Sequence, residues 1–378
     1  MAAALHILHL HSSFDLGGKE ARAVRLMNLF GDRARHTIVS GVGEALGARR
    51  AIASGIAYEI AANPPPLTGK PSVARYEALA RYMRRFDLVL SYNWGAIDGV
   101  MARRVFGKGM PPVVHHEDGF NADEATGLKP QRNMYRRIAL AAAHALVVPS
   151  ATLEAIARKR WGQRPERVHR IVNGIDVARY AIRPDPAAIP GFRRKPGEVV
   201  IGTLAGLREV KDLPMLVRAA GGLSGRVRLV IVGEGPERGR IEATAAAMGM
   251  ADRVHLPGFL PDPARYVGLF DILALSSRSE QFPIAVVEGM AAGLPIAAPP
   301  VGDVPTMISP ENAAYIARGP GEVWLRDILQ IMVDNPAFRQ SLGEANRRRA
   351  AAEYDEATML AAYRRLYGEA VGVPDILG

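Results

Sequence analysis

Two glutamates eight positions apart, Glu280 and Glu288, frame a proline and an apolar run in SEQFPIAVVEGMAAGLPIAAPPVGDVPT, residues 279–306. Carboxylates accept hydrogen bonds from hydroxyl groups, so they suit a sugar. Between them lie Gln281, Phe282, Pro283 and Ile284. Pro283 fits the first turn of a helix, and Gly293 with Pro295 fits its end, which puts Glu280 in the entering loop and Glu288 about two turns inside. A helix N-terminus presents free backbone N–H groups to an anion. The block therefore suits a ligand that carries both phosphate and sugar. Upstream, GTLAGLREVKD at 202–212 places Arg208 and Lys211 three apart in a strand-to-helix loop, where two cations can clamp a diphosphate. Gly233-Glu234-Gly235-Pro236 is a second glycine turn that opens a helix.

The first half offers two further candidates. Gly17 and Gly18 sit just before a helical pattern, where small residues let backbone N–H groups approach a phosphate or sugar; an ordinary tight turn would look the same. VVHHEDGF at 113–120 gathers His115 and His116 with two carboxylates where a strand should end. Adjacent strand residues point to opposite faces, so the two histidines cannot readily share one ion, and no metal is expected. The chain also lacks any Asp-x-Asp pair, and it has no cysteine for thiolate chemistry or disulfides.

Regular alternation supplies the frame. Leu5–Leu10, Thr37–Ser40, Ala57–Ile60, Leu88–Ser91, Val113–His115, Ala145–Val148 and Val168–Val172 read as strands, with helices near 18–30, 44–54, 71–85, 95–106, 130–143 and 150–161. The Pro-rich, charged stretch 180–197 reads as a linker. A second cycle follows, with strands at 199–203, 228–232, 253–256, 272–275, 295–297 and 313–316, and helices near 212–221, 236–249, 262–268, 283–292 and 320–334. The chain then reads as helical throughout 336–370. Apolar strands alternating with helices predict α/β domains with parallel sheets covered on both faces. The expected layout is residues 1–178, a linker at 179–197, a second domain at 198–354, and a final helix and tail at 355–378 that can pack back on the first domain. Ligands of such sheets bind beyond the carboxyl ends of the strands, here in a cleft between the domains.

A chain of 378 residues with 48% hydrophobic and 23% charged residues has the composition of globular domains, and no run of about 20 apolar residues exists to span a membrane. The apolar start, MAAALHILHLHSSF, lacks a basic segment and reads as a buried strand rather than a signal peptide. The net charge of +10 is uneven: residues 1–180 hold 26 Lys+Arg against 15 Asp+Glu, and the remainder hold 22 against 23. The basic half could face anions such as phospholipid head groups or a lipid diphosphate, or be an ordinary solvated surface. No dense basic block interleaved with aromatics points to nucleic acid.

Taken together, the Gly17-Gly18 turn, Val148-Pro149-Ser150, Asn173-Gly174-Ile175-Asp176, the loop ending in Lys211, the turn from Gly233 to Arg238 and the spaced glutamates resemble the GT-B glycosyltransferases of family 4. The resemblance runs over nearly the whole chain. It implies two Rossmann-like domains facing each other across a cleft. It also implies a retaining transferase that moves a sugar from a UDP- or GDP-sugar without a metal or other cofactor. In that reading Lys211 contacts the diphosphate, Glu280 the donor sugar and Glu288 the ribose. Gly17 and Gly18 lie beside the sugar phosphate, and one of His115 and His116 is the active-site histidine. The remaining donor contacts are Arg208, Gly235, Gln281, Phe282, Pro283 and Ile284. The family usually has Gly-Arg-Leu before the lysine, where this chain has Ala205-Gly206-Leu207, and Arg208 is the nearest replacement. It often has Gly-Gly where this chain has Gly302-Asp303. The acceptor expected is a glycan or a polyprenyl-linked sugar in cell-surface polysaccharide synthesis, with a cytoplasmic protein touching the inner membrane surface. A sugar-nucleotide epimerase and a weakly catalytic binding subunit share the same framework. A nicotinamide dehydrogenase is suggested only by Gly41, Gly43, Gly47 and Glu59, on the second strand rather than the first.

Overall fold

The computed structural model describes residues 4–120, 124 and 127–378. Elements follow in the order β1 (Leu5–His11), α1 (Gly18–Phe30), β2 (Ala34–Ser40), β3 (Tyr58–Ile60), α2 (Val73–Met83), β4 (Leu88–Tyr92), α3 (Ile97–Phe106), β5 (Val113–His116), α4 (Pro130–Leu140), β6 (Ala145–Val148), α5 (Ala151–Lys159) and β7 (Val168–Arg170). After α6 (Val177–Tyr180) come β8 (Val199–Leu204), α7 (Leu213–Gly221), β9 (Val227–Val232), α8 (Arg238–Ala247), β10 (Val254–Gly258), β11 (Ile272–Ala274), α9 (Ile284–Ala291) and β12 (Ile296–Ala297). The chain ends with α10 (Val304–Met307), α11 (Pro310–Ala313), α12 (Glu322–Asp334), α13 (Pro336–Glu353) and α14 (Glu356–Val371).

Two compact units result: Met1–Asn173 with Met359–Gly378, and Gly174–Thr358. The first holds a parallel sheet in the order β3-β2-β1-β4-β5-β6-β7. One face is filled by Leu8, Leu10, Val89, Val113 and Leu146 against side chains of α2 to α5. The other is filled by Ile7, Leu88, Leu90 and Val147 against α1 and by Met359, Tyr363, Leu366 and Tyr367 of α14. The second unit holds a parallel sheet in the order β10-β9-β8-β11-β12. In each sheet the strand order reverses once, between β1 and β4 and between β8 and β11. Loops leaving the carboxyl ends there diverge to opposite faces and open a crevice.

Four local expectations differ from the structure. Residues 44–54 form a short 3-10 turn at Gly47–Ala51 instead of a helix. The segment 262–268 forms two 3-10 turns, because Pro263 follows a left-handed Asp262. The run at 313–316 is no strand: Ser309 caps α11 by accepting from Asn312 N, and Asn312 then satisfies both backbone groups of Ile296, at 2.8 and 2.9 Å. An asparagine side chain thus closes the β12 edge where a sixth strand would have paired. The helix expected over 336–370 breaks at Tyr354, because Tyr354 O and Glu356 N bond Ile175 of the second unit, each at 3.0 Å.

The unit boundary falls at Asn173–Gly174, and the stretch 179–197 is held within the second unit. Ile189 and Phe192 are buried there, Asp185 pairs with Arg265 at 2.5 Å, and His255 Nε2 bonds Pro190 O at 2.9 Å.

Candidate active site

The crevice of the second unit lies between the loops that follow β8 and β11. The first loop is shaped by its neighbour: Leu207 N donates to Glu234 O at 2.9 Å, and Glu237 N donates to Leu207 O at 3.0 Å. Glycine is required for this stacking. At Gly233 (φ +147°) a Cβ would stand 1.9 Å from Ala205 O, and at Gly235 (φ +155°) one would stand 2.4 Å from Leu207 O. Gly235, expected beside the donor, is therefore where one loop backbone rests on the other. Arg208 projects from this platform, exposed, and among the described residues no carboxylate pairs with it. A single 3-10 turn, Glu209–Lys211, then turns Lys211 toward the second loop, and Asp212 (φ +43°) starts α7.

Lys211 Nζ meets Glu280 Oε1 at 2.5 Å, and Ser277 Oγ donates to the same oxygen at 2.7 Å. Both backbones are fixed. Ser276 Oγ donates to Lys211 O at 2.8 Å, Arg278 N to Val210 O at 2.9 Å, and Arg278 Nε to Asp212 Oδ2 at 2.9 Å. Behind Glu280 lies Gly302 (φ +54°), where a Cβ would come within 2.3 Å of Glu280 O and 3.0 Å of Gln281 O. Gln281 O accepts from Asp303 N at 3.1 Å. Phe282 is buried edge-on against Tyr354. Pro283 precedes α9 as its cap residue, so Ile284 is the first helical position, and no side chain caps this end. The backbone amide of Ile284 stands at this helix start, and Pro283 has no side-chain oxygen to cap it.

Glu288 lies on α9, half-buried, and Tyr180 Oη donates to its Oε1 at 3.0 Å. Burial pushes this carboxyl up to about 7, opposed by the Tyr180 hydrogen bond. Sequence reasoning did not find Tyr180. It stands 108 positions earlier on a four-residue helix, and nothing in its local pattern marks it.

In the first unit both candidate histidines are sealed. His115 Nδ1 pairs with Ser91 Oγ at 2.8 Å, and its Nε2 stands 3.6 Å from the buried Glu117. His116 points to the other face, where Tyr367 Oη lies 2.8 Å from Nε2 and the ring stacks on Tyr92. Burial holds the His116 ring well below the usual histidine range. The charged groups nearer the surface at this sheet end belong to α1 and the loop after β5. Gly17 caps α1 in extended conformation and Gly18 begins it. Lys19 pairs with Glu20, and burial lowers its ammonium to about 8. Arg22 grips Asp118 through both Nη atoms, the second at 2.8 Å, and donates to Asn173 Oδ1 at 3.0 Å. Burial alone would lower the Arg22 guanidinium, but Asp118 reverses this and holds it above its ordinary value. Lys19 and Asp118 adjoin the residues singled out from sequence but have no role there, and Arg22 lies beyond them. Arg at the fifth position of a helix that follows paired glycines was the available signal.

These arrangements have counterparts. The family model described as Glycosyltransferase Family 4 matches residues 16–179, and that described as Glycosyl transferases group 1 matches residues 187–349. The D-inositol 3-phosphate glycosyltransferase of Nocardia farcinica is 28% identical over 257 residues, covering 62% of this chain and 56% of its own length. That of Salinispora tropica is 28% identical over 333 residues, covering 79% of this chain and 67% of its own. This chain thus spans between about half and two thirds of those relatives. The Anabaena protein HepE, in complex with UDP and glucose, matches with a TM-score of 0.79 at 18% identity, covering 97% of this chain and 100% of that one. With one family model on each half and the paired parallel sheets matched almost throughout, the chain belongs to glycosyltransferase family 4 and has the GT-B fold.

Proposed function

We propose that the protein transfers a sugar from a nucleotide-diphosphate sugar to an acceptor hydroxyl, with retention at the anomeric carbon and without a metal ion. The observation that carries this reading is the Lys211–Glu280 pair at the strand-order reversal of the second sheet, with Arg208, which pairs with no carboxylate among the described residues, on the same loop. Lys211, Arg208 and the start of α9 supply positive charge for a departing diphosphate, the term that matters most when a phosphate leaves. Glu280 accepts from the donor sugar and Glu288 from the ribose. The acceptor oxygen attacks the anomeric carbon on the side from which the diphosphate departs. The carbon–diphosphate bond breaks, and the acceptor proton passes to the departing phosphate oxygen. No general base of the protein is required in that step, which accords with both histidines of β5 being buried and hydrogen-bonded within the first unit.

The test is transfer from UDP-glucose and GDP-mannose in the presence of EDTA, with the product anomer read by NMR. Inversion, or activity abolished by EDTA and restored by a divalent ion, overturns the mechanism. Acceptors to try include polyprenyl-diphosphate sugars, glycans and D-inositol 3-phosphate, the compound in the relatives' names. Among the described residues no helix is long and apolar enough to cross a membrane. The basic first half supports a cytoplasmic protein that meets anionic lipid at the inner membrane surface and acts in cell-surface polysaccharide synthesis. Equal binding to anionic and neutral liposomes at low salt would remove the membrane part.

A further inference from the structure

Tyr180 is held in place from several directions. Its neighbour Arg179 pairs with Asp262 Oδ2 at 2.6 Å, and upstream Ile175 is bridged to Asp355. From there its hydroxyl reaches Glu288 Oε1 at 3.0 Å. We propose that Tyr180 is a positioning residue for the nucleotide ribose: it occupies one oxygen of Glu288, favours the charged form of the carboxyl, and leaves the second oxygen to accept a ribose hydroxyl. This rests on the reading of Glu288 as a donor-binding residue.

The need for such a partner follows from the surroundings. Burial favours the neutral acid, which carries a proton on one oxygen and loses acceptor capacity. Among the described residues no Lys or Arg pairs with Glu288. Tyr266, from the turn after β10, faces it as a second phenol. Asp262 is taken by Arg179, and Arg347 of α13 bonds Ala292 O beyond the other end of α9. Neither α10 nor β12 brings a titratable side chain. The Tyr180 hydroxyl is therefore the group that favours ionisation, since a hydrogen bond to a charged acceptor is stronger than one to a neutral acid.

The experiment is calorimetric binding of UDP-glucose, with GDP-mannose in parallel, between about pH 5.5 and 8.5, a range that brackets a carboxyl titrating near neutrality. Wild-type binding should weaken as pH falls through about 7. In Tyr180→Phe the same transition should move about one pH unit higher, giving about five-fold weaker binding at pH 7 and near wild-type binding at the alkaline end. Tyr180→Met, a second hydroxyl-free side chain, should move it in the same direction, and both variants should melt within a few degrees of wild type. Profiles that overlay wild type, or tighter binding at every pH because the hydroxyl competes with ribose, overturn the proposal. Glu288→Ala separates the two readings. Weak, pH-independent binding supports the donor role of Glu288, so a failure of Tyr180→Phe beside it refutes the positioning role alone. Wild-type binding in Glu288→Ala refutes the donor role, and the Tyr180 proposal falls with it.

Discussion

Lys211 and Glu280 neutralise each other at 2.5 Å, although the proposed chemistry draws on them separately, one for phosphate and one for sugar. Ser277 Oγ also bonds the Glu280 oxygen, so the carboxylate keeps a partner if Lys211 turns to a diphosphate. Lys211→Ala should lower kcat/KM about 10²- to 10³-fold, the cost of removing one donor from a developing anion. Its melting temperature should fall only slightly, because Ser277 Oγ still bonds the partly buried Glu280 oxygen that Lys211 leaves. Arg208 has no partner to lose among the described residues. Arg208→Ala should weaken donor binding about tenfold, as expected for one hydrogen bond to a charged group, with an unchanged melting curve. A fall in melting temperature without a change in donor binding would show that Arg208 serves the loop and not the ligand.

At the scale of elements, glycines decide which loops can meet. Gly302→Ala must adopt φ +54° with its Cβ pressed on Glu280 O, which should cost roughly 1–3 kcal/mol and displace Glu280, lowering both stability and activity. Denaturant titration with a parallel donor-binding assay reads the two effects together. Gly43→Ala is the contrasting case. Its Cβ would have nothing within 4 Å, so the variant should behave as wild type in both assays. That openness removes the close-approach reason for a glycine at 43, whereas a Cβ at Gly41 would stand 3.0 Å from Ser12 O and one at Gly47 3.1 Å from Asp15 Oδ1, both atoms of the protein's own neighbouring loop. Gly233 and Gly235 do have such a reason, but the close approach there is to another loop of the protein.

For the molecule as a whole, the most demanding feature is the buried histidine set of the first unit. His9 Nε2 and His36 Nδ1 lie 3.0 Å apart, His9 Nδ1 faces Tyr92 Oη at 3.3 Å, and His11 stacks on Tyr92 with neither ring nitrogen hydrogen-bonded among the described residues. Burial keeps His9, His11 and His116 well below the ordinary histidine range and brings His36 to about 4. The unfolded chain takes up these protons near pH 6.5, the folded one only much lower. Stability is therefore complete above about 6.5 and declines as pH falls toward about 4, with His36 alone contributing about 3 kcal/mol to the loss. Urea titrations from pH 4.5 to 7.5, followed by the fluorescence of Trp94 and Trp161, should show a midpoint that rises with pH and levels off. A flat profile would mean these histidines are protonated in the folded state.

The fold was legible because parallel strands buried on both faces read as apolar runs, and because proline and glycine punctuate helices wherever they lie. That local chemistry sufficed for the succession of strands along the chain, for the loops bearing Lys211 and Glu280, and for the helix bearing Glu288. Where a residue's partner is distant in sequence, local pattern carries no information. Tyr180 finds Glu288, Asn312 replaces a strand at the β12 edge, and Tyr367 and Ser91 cover the two histidines of β5. Each of these depends on which side chains the packed sheets and helices bring within hydrogen-bond reach. Sequence thus determined which residues stand at the carboxyl ends of the strands, and the tertiary structure alone decided which of them remain open to a ligand.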